Sequence, residues 1–133
     1  MTSQPPLVTG VDFVSVATSD LAAAMEFYGN VLGLPRASLW QRSGEEPVGA
    51  EYETGSLTIA LLASARLGLE SRPNNHPIAL RVDDVEAVRA ELEQRGVTFK
   101  ADTLDSGVCH QAFFEDPDGN MLALHHRYAP RGG

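Results

Sequence analysis

One half of this chain is an echo of the other. Val11 to Ala17 alternates as a strand should, with Val11, Phe13, Ser15 and Ala17 on one side and Asp12, Val14 and Val16 on the other. Ser19 or Asp20 then offers a capping side chain to a helix with Leu21, Ala24, Met25, Tyr28, Val31 and Leu32 at helical spacing, stopped by Gly33. Strands are read at Arg36 to Trp40, Ala50 to Glu53 and Leu57 to Ala63. The order then recurs. Laying Val14 over Ile78 puts Val16 over Leu80, Asp20 over Asp84, Leu21 over Val85 and Tyr28 over Leu92, at one constant offset of 64 residues. After the strand Ile78 to Val82, a helix carries Val85, Val88 and Leu92 on one face and ends at Gly96. Strands follow at Val97–Leu104, Val108–Phe114 and Met121–His126.

The expected architecture is α+β: two βαβββ modules in tandem within a single domain spanning residues 1–133. The first module covers 10–63 and the second 78–127. Residues 64–77 (SARLGLESRPNNHP), polar and rich in turn formers, link them. One helix covers only one face of a four-stranded sheet. Val14, Val16, Ile78, Leu80 and Val82 suit that covered face, which leaves Phe13, Ser15, Ala17, Ala79 and Arg81 on the other. Two curved sheets with helices outside then enclose a cup between their open faces, where function is to be sought.

Charge and cysteine content narrow the function classes. Eighteen acidic against ten basic residues give a net charge of −8, and the basic set is nine Arg with Lys100 alone, never in a run. Such a chain has no electrostatic footprint for nucleic acid or an anionic membrane. Cys109, the sole cysteine, excludes an internal disulfide and a cysteine-based zinc cage, and reads as a small buried residue. The start, MTSQPPLVTG, has neither the basic nor the apolar region of a secretory signal, so a cytoplasmic location is expected.

Three stretches are familiar: FYGNVLGL (Phe27 to Leu34), IALRVDDVEAV (Ile78 to Val88) and FFEDPDGNMLAL (Phe113 to Leu124). Together they resemble the vicinal oxygen chelate superfamily of glyoxalase I, extradiol dioxygenases and bleomycin-resistance proteins. Asp116-Pro117-Asp118-Gly119 is the turn of the last hairpin, with Gly supplying the positive φ. The resemblance implies a homodimer. It also implies, for the enzymes, a divalent metal held by a His on the first strand and a Glu on the last strand of each half. Those positions hold Phe13, Pro77 and Ala123 here, with no carboxylate in Leu57 to Leu62, and His76 is one residue out of place. No metal site and no cofactor are therefore expected, and catalytic residues stay unassigned.

What remains polar is a small set. Parity puts His125 with Ala123 and Met121. If His110, Ala112 and Phe114 also face inward, His110 and His125 meet near Arg81, bordered by Phe13, Phe114 and Trp40 or Tyr52. Such a bowl suits a planar small molecule carrying a carboxylate, phenolate or carbonyl, and His126 is left as a packing residue. The expected function is a metal-free small-molecule-binding protein of the bleomycin-resistance type. The alternative is a lyase- or dioxygenase-like enzyme rebuilt around His110 and His125, with a divalent metal held by those two and Glu51 or Glu53, or with none. An interaction module without ligand is the third reading.

Overall fold

The computed structural model describes residues 6–130; residues 1–5 of the start read above for a leader lie outside the described residues. The first module contains β1 (Phe13–Ala17), α1 (Leu21–Glu26), a π-helical turn (Phe27–Val31), β2 (Arg36–Trp40), β3 (Gly49–Glu53) and β4 (Thr58–Leu62). After a 3₁₀ turn (Ser64–Leu67) come β5 (Ile78–Arg81), α2 (Val85–Gln94), β6 (Leu104–Asp105), β7 (Cys109–Glu115) and β8 (Met121–Arg127). The two sheets have matching strand orders, β1-β4-β3-β2 and β5-β8-β7-β6, each with one parallel pair between its first and last strands. The α+β two-module fold is the one the repeat foretells, and no helix among the described residues is long and apolar enough to cross a membrane.

The repeat extends to local geometry. Asp20 and Asp84 both adopt extended backbone, and each accepts a hydrogen bond from a backbone N–H three residues on, Ala23 and Ala87, at 3.1 Å. Three details differ from expectation. β1 starts at Phe13 instead of Val11, because its partner β4 starts at Thr58 and leaves the two preceding residues nothing to pair with. The first helix widens after Glu26, with Leu32 N–H bonding Phe27 C=O five residues back. That widening accompanies the burial of two consecutive rings, Phe27 and Tyr28. Finally, Val97–Leu104 is no continuous strand. Val97 and Phe99 drop into the core, Phe99 bridges Phe114 once, and pairing resumes only at Leu104–Asp105.

One hydrophobic core serves both modules, joining Val16, Tyr52, Ile59 and Leu61 to Leu92, Phe114, Leu122 and Leu124. The first module's helical segment reaches the second sheet directly: the Phe27 ring lies 6.3 Å from Phe114, and the Tyr28 hydroxyl donates to Asp116 Oδ2 at 2.8 Å. Asp116, buried itself, also accepts from the side-chain amide of Asn120 and from the backbone N–H groups of Asp118 and Asn120. Asn120 passes the connection back to module one by donating to Ala17 C=O at 2.8 Å. The DPDGN turn thus fastens the modules together as well as reversing the hairpin, with Gly119 at φ 90°.

Burial, reinforced by the charge of Asp116, pushes the Tyr28 hydroxyl well above the ordinary tyrosine range. Above about pH 10 the unfolded chain releases this proton and the folded chain keeps it. Stability is therefore full below pH 10 and falls as pH rises beyond it, by about 1.4 kcal/mol per pH unit for such a group. In an absorbance titration at 295 nm, Tyr28 is expected to ionise only as the fold melts. Tyr28→Phe should cost about 1 kcal/mol at neutral pH and flatten the alkaline decline. An unchanged alkaline slope in that variant would refute the assignment.

Candidate functional site

Strand registers settle which side chains share a face. In the first sheet Val14, Val16, Ala50, Tyr52, Ile59 and Leu61 lie under the helices. The open face presents three rows: Phe13, Thr58 and Glu53; Ser15, Ala60, Glu51 and Ser38; and Ala17, Leu62, Gly49 and Trp40. Small residues at Ala60 and Gly49 leave room for large rings. A Cβ on Gly49 would sit 2.6 Å from Trp40 Cε3, so the indole packs closely against that glycine. It meets the half-exposed Phe13 edge to face, centroids 6.3 Å apart, although β1 and β2 are opposite margins of the sheet. Two carboxylates share this face. Glu51 accepts from Ser38 Oγ at 2.6 Å and Glu53 from Thr58 Oγ1 at 2.8 Å.

The second sheet's open face has the opposite character. Arg81, His125, Gln111 and Leu104 form one row across all four strands, followed along β8 by Arg127 beside Cys109. Arg81 is exposed and pairs with no carboxylate among the described residues, Glu53 included. His125 is half-buried, and Arg127 Nε is enclosed without a hydrogen-bond partner.

His110 and Phe114 are not on this face, which corrects the inward parity expected for them. β7 pairs antiparallel with β8 so that Phe114 opposes Leu122 and His110 opposes His126, placing both on the helix-covered side. Phe114 is wholly buried between Phe27 and Phe99, and Tyr52 is buried in the first module's core. His110 lies at the rim, its Nε2 3.3 Å from Asp105 Oδ2 and its ring 4.9 Å from that of Tyr128. Gly107 N–H and the Tyr128 hydroxyl, more than His110, hold the Asp105 carboxyl below its usual range. His126 lies with Nδ1 3.1 Å from Val82 C=O. A centre built jointly from His110 and His125 is therefore excluded by the sheet between them.

Phe113 and Phe114 are equally apolar neighbours, so alternation alone did not choose between them. The signal that does is the turn: pairing Glu115 with Met121 and counting back brings Gln111, not His110, opposite His125. Gln111 and Phe113 are the open-face residues that the parity argument missed.

The structure brings Phe13 together with Trp40, and Arg81 together with His125, on two different sheets. An apolar cleft of about 370 Å³ lies elsewhere. It runs between the modules beside the outer edge of β5, among Leu32, Leu34, Ile59, Leu80 and Leu92, with Arg81 at its margin.

The donor set does not fit the metal centre of the related enzymes. Phe13 and Thr58 are register partners on the first sheet, and Ala123 stands between Ala79 and Phe113 on the second. Among the described residues no group of three or more His, Cys, Asp and Glu side chains is placed to hold an ion.

Comparison with known proteins agrees with this frame. The family model of the Glyoxalase/Bleomycin resistance protein/Dioxygenase superfamily matches residues 10–124. No curated protein matches. Among solved structures, TnmS3, an antibiotic binding protein from Streptomyces sp. CB03234, is 24% identical with a TM-score of 0.75, covering 92% of this chain and 99% of its own. A glyoxalase/bleomycin resistance protein from the same organism is 25% identical (TM-score 0.64, 88% and 100% covered). Lactoylglutathione lyase from Agrobacterium tumefaciens is 18% identical (TM-score 0.69, 91% and 94% covered). With the duplicated βαβββ topology and a family match over nearly its whole length, the chain belongs to the glyoxalase/bleomycin resistance/dioxygenase superfamily.

Proposed function

We propose that this protein binds a small planar organic molecule in the cytoplasm, without a metal, and works as a homodimer. One observation carries the reading. Where the superfamily's enzymes place donors, this chain has Phe13 beside a small-residue floor, and Trp40 lies over that floor to meet it. Two rings over Gly49 and Ala60 offer stacking area at little conformational cost, the usual foundation of an aromatic ligand site. Arg81 and His125 supply the complementary polar end, suited to a carboxylate or phenolate. The likeness in fold to an antibiotic binding protein supports a small-molecule-binding role without naming the ligand.

Trp40 is the only tryptophan, so its fluorescence reports on the site directly. Titration with a panel of planar aromatic carboxylates and phenols is expected to quench it saturably. Trp40→Ala, followed by thermal shift, should weaken binding about tenfold or more. Arg81→Ala should weaken anionic probes more than neutral ones. Elemental analysis of untagged, dialysed protein is expected to give far less than one transition metal per chain. A stoichiometric metal together with no binding across the panel would overturn the proposal.

A further inference from the structure

The second sheet's open face holds donors that the rest of the chain does not use. Arg66, Arg72, Arg89, Arg95 and Lys100 each reach a carboxylate, as basic residues in a chain of net charge −8 readily can. Arg81 and Arg127 reach none among the described residues. Arg36 and Arg42, also free, belong to the first module. The Arg81 guanidinium and the ring of half-buried His125 make no hydrogen bond among the described residues, unlike Arg89, Arg95 and His126. Arg127 gives one Nη2 bond, 3.3 Å, to the exposed Pro130 carbonyl, and its Nε is enclosed without a partner. The three side chains stand together. Arg81 and His125 are register partners on β5 and β8, and Arg127 follows His125 two residues along β8. Strand spacing puts the Cα atoms of Arg81 and Arg127 about 8 Å apart, a gap that two arginine side chains close over one small anion. Glu115, the carboxylate of the same parity on β7, lies two rows from Gln111 and His125 and is neutralised by Lys100.

We propose that this face is a phosphate site: Arg81, His125 and Arg127 converge on one dianionic phosphate group, with Arg127 turning away from Pro130 to reach it. Charge and shape select this occupant over a carboxylate. A carboxylate is planar, and one arginine fork satisfies both its oxygens, which leaves the second guanidinium uncompensated. A phosphate monoester presents three terminal oxygens in different directions and carries close to two negative charges at neutral pH. Those charges balance Arg81 and Arg127, and the third oxygen is left for a ring N–H of His125. The turn costs Arg127 a single exposed hydrogen bond, which water replaces at the Pro130 carbonyl. In return the unpartnered Nε–H gains an acceptor. Phe113, in the adjoining row with Ala79 and Ala123, offers apolar surface to an organic group carried on the phosphate. The inference rests on the reading of Arg81 and His125 as the polar end of a ligand site, and it names the chemical group that end takes.

The test is calorimetric titration of the full chain in phosphate-free buffer. Its probes are phenyl phosphate, phenyl sulfate (the same shape with one charge fewer) and inorganic phosphate. Phenyl phosphate is expected to bind about tenfold or more tightly than phenyl sulfate. Arg127→Gln and Arg81→Gln should each weaken phenyl phosphate by about tenfold and bring the two esters within about threefold of each other. Inorganic phosphate bound as tightly as phenyl phosphate identifies the free ion as the occupant, and a tighter ester identifies an organic phosphate; either result supports the site. Phenyl phosphate that does not bind, or binds no more tightly than phenyl sulfate, overturns it, and that comparison needs no variant. A phosphate preference that survives both substitutions overturns it as well. Aromatic carboxylates that quench Trp40, with no preference for phosphate over sulfate, overturn this inference alone. A phosphate preference that the arginine variants abolish, with no aromatic probe quenching Trp40, upholds it and overturns the aromatic floor.

Discussion

Replacing Asp116 with alanine is expected to lower the melting temperature by roughly 12 °C, the largest loss from any polar substitution in this fold. Asp116 accepts four hydrogen bonds, from the Tyr28 hydroxyl, the Asn120 amide and two backbone N–H groups of its own turn. Tyr28 and Asn120 have no solvent exposure, so water cannot take over as their acceptor. Leaving a buried donor unpaired costs about 1–3 kcal/mol, and the two buried side-chain donors alone give about 4 kcal/mol. For a domain of this length that is roughly 3 °C of melting temperature per kcal/mol. It is also a large part of the ~5–15 kcal/mol by which domains are stable at all.

The contrast with Asp118 makes the prediction sharp. Asp118 accepts from Ser19 N–H and Oγ, both at 2.8 Å and both exposed. Asp118→Ala hands those donors to water and should cost about 1 kcal/mol or less. Equal losses at the two positions, measured by thermal unfolding, would show that Asp116 does not fasten the modules.

That fastening was invisible in the sequence, where the DPDGN segment reads as a turn and nothing more. Its glycine and its hairpin follow from local rules, but its bonds to Tyr28 and Ala17 span 88 and 103 residues, and no local pattern reports them. The fold itself was legible because the duplication writes the same instructions twice: Asp20 and Asp84 cap alike, and Val14 and Ile78 hold equivalent places in β1 and β5. The site was legible only where alternation is unambiguous. Phe13 is flanked by Asp12 and Val14, and Arg81 by Leu80 and Val82, so each shows its face. In Phe113-Phe114 the alternation is blank, and only the register across the last hairpin assigns them, whereas His125 is placed by its parity with Ala123. Nor does composition say where the helices go. Packing both against one shared core is a property of Phe27, Tyr28 and Phe114 meeting, three residues on two modules.

Gly49 is the second position where a small change has a large expected effect, because there the site and the stability of the sheet are one problem. Its added Cβ would stand 2.6 Å from Trp40 Cε3 and 2.9 Å from the Leu61 carbonyl oxygen. The indole can tilt away, giving up its edge contact with Phe13, worth about 1 kcal/mol. The carbonyl belongs to the neighbouring strand and moves only with its ladder. Gly49→Ala should therefore cost about 2–3 kcal/mol and shift Trp40 emission to the red as the ring swings into water. A double-mutant cycle separates the two conflicts. In a Trp40→Ala background the indole clash is gone, and Gly49→Ala should cost at least about 1 kcal/mol less than in the wild type. Equal costs in both backgrounds would mean that Trp40 does not rest on Gly49. The paired rings would then be no fixed floor, and the aromatic ligand site would lose the observation on which it stands.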